Sequence, residues 1–426
     1  MTKQRKLPIG SLVEGAKLTS DIPDPENTRV KLLTAGTTIT KDFLENLYSR
    51  NINGLVVSEK DIAVMSAFKP QGRSVSVPPT HQYVSSHAIN QETLMLDERI
   101  ENTLTASLAP QGSPFDSNIR KITNRPYDKE LTLAWAADSG ESIDQIETIF
   151  SEAVTSQSSS ATSLHQACQA ILTWMIEDID AAVCMACSPF ETQYPARHGF
   201  HFAQLAMAIG MQMKLDQATL IDLGIGCMIH DVGMKAVGVG MFGNDQMLSP
   251  GQLKLLADHP IRGAEVIAKF GEQISMDSKM VAYQVHERCD GSGYPRGRRG
   301  PEIHALAKIA SVADAYIGMV TNRPHRVAIL GYHAMVHILN EMKVGKFDPH
   351  VVRALLEITS LHPLGSFVEL SNHCIGRTIR TSGAHYDKPI IEMWSGSSLA
   401  SKPVIVNLQE DPSISIVRIK KSPAAA

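Results

Sequence analysis

Imidazole and carboxylate side chains recur through the middle of this chain where apolar helical patterns start or stop. His198 opens one such pattern, His230-Asp231 closes another with Gly233 just beyond, His259-Pro260 begins a third, His286 ends a fourth and Asp314 lies within a fifth. Five segments that each offer one station suit a metal site in a bundle core, because side chains converge there from facing helices while every backbone stays hydrogen-bonded. Imidazole and carboxylate without thiolate favour Fe, Mn, Zn, Ni or Co over soft metals. Any one station alone reads as an ordinary polar group at a helix end.

More specific is the string His286-Glu287-Arg288-Cys289-Asp290-Gly291-Ser292-Gly293-Tyr294-Pro295. Two glycines and a proline force a tight, irregular loop directly after a candidate ligand. Arg288, Arg296, Arg298 and Arg299 surround that loop, so it is expected to bring cations beside the metals.

The elements that must position these groups follow from periodicity. Ile143, Ile146, Ile149, Phe150 and Ala153, then Leu164, Ala167, Ile171, Leu172, Met175, Ile179 and Ala182, recur at helical spacing. Further helical segments are expected near 198–213, 218–230, 250–258, 261–270, 277–286, 304–321 and 328–342. Residues 139–358 therefore read as an all-α domain. Residues 1–65 read as a small α+β module, with apolar stretches at Ser11 to Val13 and Val30 to Leu33, a helical pattern around Phe43, Leu44 and Leu47, and a closing strand at Gly54 to Val57. Residues 66–138 carry Pro70, Pro78, Pro79, Pro110, Pro114 and Pro126 among many Ser and Gln, a linker composition with one candidate helix near Leu94 to Leu104. Residues 359–426 hold short β-branched runs at 367–370, 375–379, 389–391, 404–406 and 414–419, which predicts a small β module with a frayed tail.

The four central motifs resemble the HD-GYP branch of the HD-domain phosphohydrolases: the helix ending in His230-Asp231-Val-Gly233, His259-Pro260-Ile-Arg-Gly263, the HERxDGSGYP string, and Lys308 to Asp314 followed by Arg323-Pro-His-Arg326. The resemblance covers about 165–345 and implies a central HD-domain helical bundle that hydrolyses cyclic di-GMP, a bacterial second messenger, to linear pGpG, with onward cleavage to GMP open. It implies divalent ions, one or two, with Fe, Mn or Ni favoured. His198, His230, Asp231 and Asp314 would hold the first ion; Asp231 would bridge; His259 and His286 would hold the second. His230 and Asp231 would be the catalytic pair. Tyr294, Arg323 and Arg326 would meet the substrate, the forked guanidinium donors suiting phosphate. Tyr194 stands where some relatives carry a Glu for a third metal.

Three positions depart from the family pattern. Met234 replaces the lysine of HDxGK, and a thioether cannot neutralise a phosphate oxygen; Lys235 next to it projects about 100° away on a helix. Val285 replaces the first imidazole of HHE, leaving water or Glu287 to complete the second ion's shell. Ile317 stands one turn after Asp314 where relatives offer an Asp. These features favour the alternative of a catalytically degenerate domain that binds a nucleotide or protein partner as a sensor.

Composition bounds the rest. The 426 residues allow about three domains, and 43% hydrophobic with 20% charged residues is ordinary globular usage. A formal charge of -4 excludes the broad basic footprint of a DNA binder. The basic start runs into Leu7-Pro8-Ile9-Gly10 rather than a secretion signal, and no apolar run approaches the roughly 20 residues that span a bilayer. A cytoplasmic bacterial signalling protein is expected, with a homo-oligomer or a signalling partner open. Six cysteines scattered through the chain read as reduced, mostly packed thiols. His201, one turn after His198, reads as an exposed or capping imidazole, and His304, His325, His362, His373 and His385 fall outside any convergent set.

Overall fold

The computed structural model describes residues 4–8, 16–23, 31–40, 43, 54–61, 90–102, 112–119, 121–123, 125–156, 159–188, 194–236, 250–322, 328–395, 399 and 402–420. The chain divides into two compact units, Met1–Pro78 and Pro79–Ala426.

In the first unit β1 (Gln4–Pro8) pairs antiparallel with β4 (Gly54–Ser58), and β2 (Ile22–Pro23) with β3 (Lys31–Leu33). Ala16, Leu18, Ile22, Ile39, Leu55 and Val57 are buried. The apolar stretch 11–13, Val30, Leu44 and Leu47 lie outside the described residues.

The second unit is mostly helical. Its helices are α1 (Gln91–Asn102), α2 (Lys129–Thr155), α3 (Thr162–Ala186), α4 (Ala196–Gln212), α5 (Gln217–Ile229), α6 (Val232–Ala236), α7 (Pro250–Ala268), α8 (Met276–Gln284), α9 (Ala305–Val320), α10 (Gly331–Lys343) and α11 (Pro349–Thr359). Side-chain caps set several starts by accepting from amides that the first turn leaves unpaired. Asp128 accepts from Glu130 N, Asp216 from Thr219 N, Ser275 from Ser278 N and Asp348 from His350 N. Helices α4, α5 and α9 are apolar nearly all round, so they are buried at the centre, with α2, α3, α8 and α11 packed about them. The helical pattern expected from residue 139 starts ten residues earlier, because Asp128 caps α2.

Residues 250–258 and 261–270 were expected as separate helices; one helix, α7, runs through Pro260. A proline inside a helix removes one hydrogen bond, the one its amide would have given to the carbonyl four residues back. Here that carbonyl belongs to Leu256, and the His259 ring takes it instead, Nδ1 to O 2.5 Å. The helix therefore continues past the proline, and the freed acceptor is put to use.

The C-terminal segment forms one antiparallel sheet in the order β8-β7-β6-β5-β9: β5 (Phe367–Leu370), β6 (Ile375–Arg380), β7 (Ile390–Trp394), β8 (Val404–Asn407) and β9 (Ile416–Lys420). Val368, Leu370, Ile391 and Leu408 make its small core. Arg380, 1% exposed, joins the sheet to the bundle. Its guanidinium donates to both carboxylate oxygens of Asp178 and to the Arg125 carbonyl. Asp178 sits at a break in α3, with φ -159° and ψ 96°, and its carboxylate also accepts from Ala181 N, capping the helix's last turns. Asp180 beside it accepts from Thr381 Oγ1 at 2.8 Å. Burial lifts the Asp180 carboxyl to about 6, with the Thr381 hydrogen bond and Arg380 opposing.

Gly233 on α6 lets the bundle close around α7. A Cβ there would collide with the His259 carbonyl oxygen and stand 2.6 Å from Gly263 N. Among the described residues no helix is long and apolar enough to cross a membrane.

Three outcomes test this architecture. Arg380→Ala strands the buried Asp178 carboxylate, so chemical denaturation should show a loss of about 3–5 kcal/mol. Asp180 has a folded-state pKa above its unfolded value, so the native state binds the extra proton and stability falls as pH rises from about 4 to about 6. Asp180→Asn keeps the acceptor for Thr381 and removes that dependence, so its midpoint should exceed the parent's by a margin that grows toward pH 7. Gly233→Ala overpacks the α6–α7 contact and should cost about 1–3 kcal/mol in thermal or chemical unfolding.

Candidate metal centre

All six expected ligand side chains meet in one buried pocket. His198 comes from the first turn of α4, His230 and Asp231 from the end of α5, His259 from the middle of α7, His286 from just beyond α8, and Asp314 from α9. Their exposures run from 1% for His230 and His259 to 9% for His286. Two groups have the spacing of metal ligands, His198, His230 and Asp314, and His230, Asp231 and His286.

Asp231 is the hub. Its Oδ2 lies 3.1 Å from His230 Nε2 and accepts from the Tyr194 hydroxyl at 2.7 Å; its Oδ1 lies 3.1 Å from His259 Nε2 and 4.0 Å from His286 Nε2. One carboxylate thus turns an oxygen to each half of the cluster. Asp314 does the same, with Oδ1 3.1 Å from His198 Nε2 and Oδ2 3.5 Å from His286 Nδ1.

Helix carbonyls orient two of the rings. His230 Nδ1 lies 2.7 Å from Cys227 O, at a helix end where the last carbonyls lack intrahelical partners. His259 Nδ1 faces Leu256 O, released by Pro260. In each ring the proton belongs on Nδ1, and the Nε2 lone pair points into the cluster, as metal-binding imidazoles require. His230 Nε2 is buried with no hydrogen bond, and His259 Nε2 faces His286 Nε2 at 3.1 Å. Lone pairs crowded together without donors are a chemistry that a cation resolves, so the residues present fit divalent metal binding.

The electrostatics agree. Burial would raise the Asp231 carboxyl, but the neighbouring His230, and after it His259, outweigh burial and hold the group well below the carboxylate range. Asp314 is held low in the same way by His198 and His286 against burial. Burial drops His286 to about 4, so its ring is neutral at physiological pH. Burial lowers His230 too, but the Asp231 charge reverses the direction and raises it.

The loop after His286 places Tyr294 at the cluster's edge. Its ring stacks on His286 with centroids 4.8 Å apart and 24° between planes, and meets His259 edge-on at 6.1 Å. Gly293 makes the turn: a Cβ there would strike the backbone of His286, Glu287 and Arg288. Arg323 and Arg326 lie outside the described residues.

Several expectations change here. Glu287 does not complete the shell left open by Val285. Its carboxylate, 1% exposed, accepts from Arg296 N at 2.8 Å and Arg298 N at 2.9 Å and so clamps the loop backbone; burial lifts it to about 7 against those bonds. The loop arginines do not gather at the cluster. Arg296 and Arg298 reach Asp97 on α1, and Arg288 donates to the carbonyls of Val285 and Glu287 while lying 5.1 Å from the Phe347 ring centroid. Lys235 pairs with Glu147 on α2. Met234, Val285 and Ile317 are buried, the last two in the main apolar core. His201 is 5% exposed rather than a surface cap, its ring edge-on to Phe200 and its pKa pushed down to about 3 by burial. The roles of Asp97 and Tyr283 carried no sequence signal, since neither lies in a motif. Tyr194 was visible only as a substitution, and its bond to Asp231 depends on the fold.

Comparison with known proteins fits this geometry. Residues 175–351 match the HD domain family. The chain is 27% identical over 203 residues to a cyclic di-GMP phosphodiesterase of Pseudomonas aeruginosa, covering 47% of this chain and 48% of that protein. It is 28% identical to a cyclic di-GMP phosphodiesterase of Thermotoga maritima over 38% of this chain and 44% of that one. It is 26% identical to a 3'3'-cGAMP-specific phosphodiesterase of Vibrio cholerae over 41% of this chain and 37% of that one. The chain thus spans less than half the length of these relatives. The HD domain match over 175–351 takes in the elements that carry His198, His230, Asp231, His259, His286 and Asp314, and Tyr294 beside them.

Proposed function

We propose that the protein is a metal-dependent phosphodiesterase that hydrolyses cyclic di-GMP to pGpG in bacterial second-messenger signalling. The observation that carries this is the two-sided Asp231 carboxylate, with one oxygen toward His230 and the other toward His259. His198, His230, Asp231 and Asp314 are assigned to a first ion and His259 and His286, with Asp231, to a second; Fe, Mn or Ni suits these donors. Bound divalent ions supply Lewis-acid stabilisation of the phosphodiester and acidify water.

The chain's own residues do the rest. Asp231 and Asp314 stay ionised and His286 neutral, so these three ligands need not shed a proton first. The Tyr194 hydroxyl orients Asp231 from the side where some relatives hold a third metal, which limits this site to two ions. Tyr294, half-buried over His286, gives an aromatic face for guanine, and Arg323 and Arg326 are assigned to the phosphates. With Met234 in place of lysine and Lys235 committed to Glu147, charge neutralisation falls to the ions and the arginines. The similarity to cyclic di-GMP phosphodiesterases supports the substrate.

We assign the protein to the cytoplasm, with 1–65 as an accessory α+β module, a linker from 66 that carries α1 and ends where α2 begins at Lys129, a catalytic domain from there to 358, and 359–426 as a β module. A homo-oligomer or a signalling partner is compatible with this organisation.

The central test is turnover of cyclic di-GMP by protein loaded with Mn, Fe or Ni near neutral pH. Product should form and disappear in Asp231→Ala; binding measured by calorimetry without product would instead mark a sensor. Tyr194→Phe removes an outer-shell hydrogen bond and should lower metal affinity or turnover about tenfold to a hundredfold. Metal analysis should find one to two ions per chain in the parent and fewer in Tyr194→Phe.

A further inference from the structure

Helix α1 lies upstream of the HD domain match, which begins at residue 175, yet it reaches the loop that carries Tyr294. Asp97 accepts from Tyr283 Oη at 3.0 Å, from Arg296 Nε at 3.1 Å and from Arg298 Nη2 at 2.6 Å. Arg296 Nε also lies 2.8 Å from Tyr283 Oη. Two loop arginines, separated from Asp97 by about 200 residues of chain, therefore close on one carboxylate that is itself mostly withdrawn from water. Arginine pairs of this kind are charge-assisted and directional.

The same two residues are held from the other side. Their backbone amides donate to Glu287, next in sequence to His286. Loop segment 296–298 is thus gripped by its guanidiniums at α1 and by its amides at Glu287, and Tyr294 hangs between these anchors. Helix α1 docks through a satellite cluster, Leu96 and Ile100 against Ile261, Ala264, Met280 and Tyr283, separate from the main core. Its attachment is thus made by contacts distinct from those that hold the main core together.

We propose that Asp97 is the positioning residue of the substrate loop, so that the docking of α1 sets where Tyr294 stands over His259 and His286. The loop contributes its geometry rather than free cations, because Arg296 and Arg298 are turned to Asp97. The substrate part of this proposal rests on the phosphodiesterase assignment; the loop part does not.

The full chain is compared with Asp97→Ala, Asp97→Asn and, as a control on the exposed side of the same helix, Glu98→Ala. Alanine favours helix over aspartate, so loss of helicity in α1 is not the expected effect of Asp97→Ala. Hydrogen exchange of 286–299, metal content, and kcat and KM with cyclic di-GMP are measured for each. The expected result is faster exchange at the Arg296 and Arg298 amides and a KM raised about tenfold or more in Asp97→Ala, consistent with the cost of small misplacements. Metal per chain should stay unchanged, Asp97→Asn should fall between, and Glu98→Ala should match the parent. Unchanged loop exchange with unchanged KM overturns the proposal. A lower KM also overturns it, since that marks an inhibitory latch whose release frees two guanidiniums for phosphate. If the parent turns over no cyclic di-GMP, the functional assignment falls and exchange alone decides: protection lost in Asp97→Ala supports the positioning role, and protection kept overturns it.

Discussion

Two carboxylates and four imidazoles removed from water in one pocket are the constraint on which the rest of this structure depends. An ionised group in a protein interior carries a large desolvation cost unless partners surround it. Asp231 and Asp314 meet that condition by turning each oxygen to a different imidazole, so that the groups that would be costly singly stabilise one another. The partners must arrive together, because removing one leaves a buried charge with less support. That requirement explains why the stations come from five separate elements and why α4, α5 and α9 are apolar on nearly every face.

Ring orientation is a second layer of the same constraint. A neutral imidazole offers one lone pair, and which nitrogen bears it depends on what the other nitrogen meets. The protein answers with backbone carbonyls released from helical bonding, one by a helix end at Cys227 and one by Pro260 at Leu256. The proline in α7 is therefore part of the site's chemistry, although it never faces the cluster.

The loop that carries Tyr294 is built differently. The loop after His286 has little apolar packing of its own and is held by polar anchors: Glu287 on its amides, Asp97 and Tyr283 on its arginines, Gly293 where its backbone passes close to the preceding turn. Such anchors are directional and sensitive to small displacements, which suits a part that must be placed accurately yet remain adjustable. The β-sheet uses a third means, the buried Arg380–Asp178 pair, to join an element with a small core of its own to a helix break that would otherwise leave polar groups unmatched.

Residue types and their order along the chain determined much of this. Periodicity marked the helices, β-branched runs marked the terminal sheet, and the sequence of His198, His230-Asp231, His259, His286 and Asp314 announced a shared cation site, because ligand chemistry is written in side-chain identity. Tertiary structure alone decided how those groups face one another: that Asp231 divides its oxygens, that Tyr194 binds it, that Glu287 turns to the loop, that Lys235 goes to Glu147, and that two arginines near a metal motif answer to Asp97 instead. The physical reason is that each of these outcomes is a competition for a partner in space. Residues 9 positions apart, as Glu287 and Arg296, or 199 apart, as Asp97 and Arg296, pair only after packing has removed the other choices and the water that would have served as well.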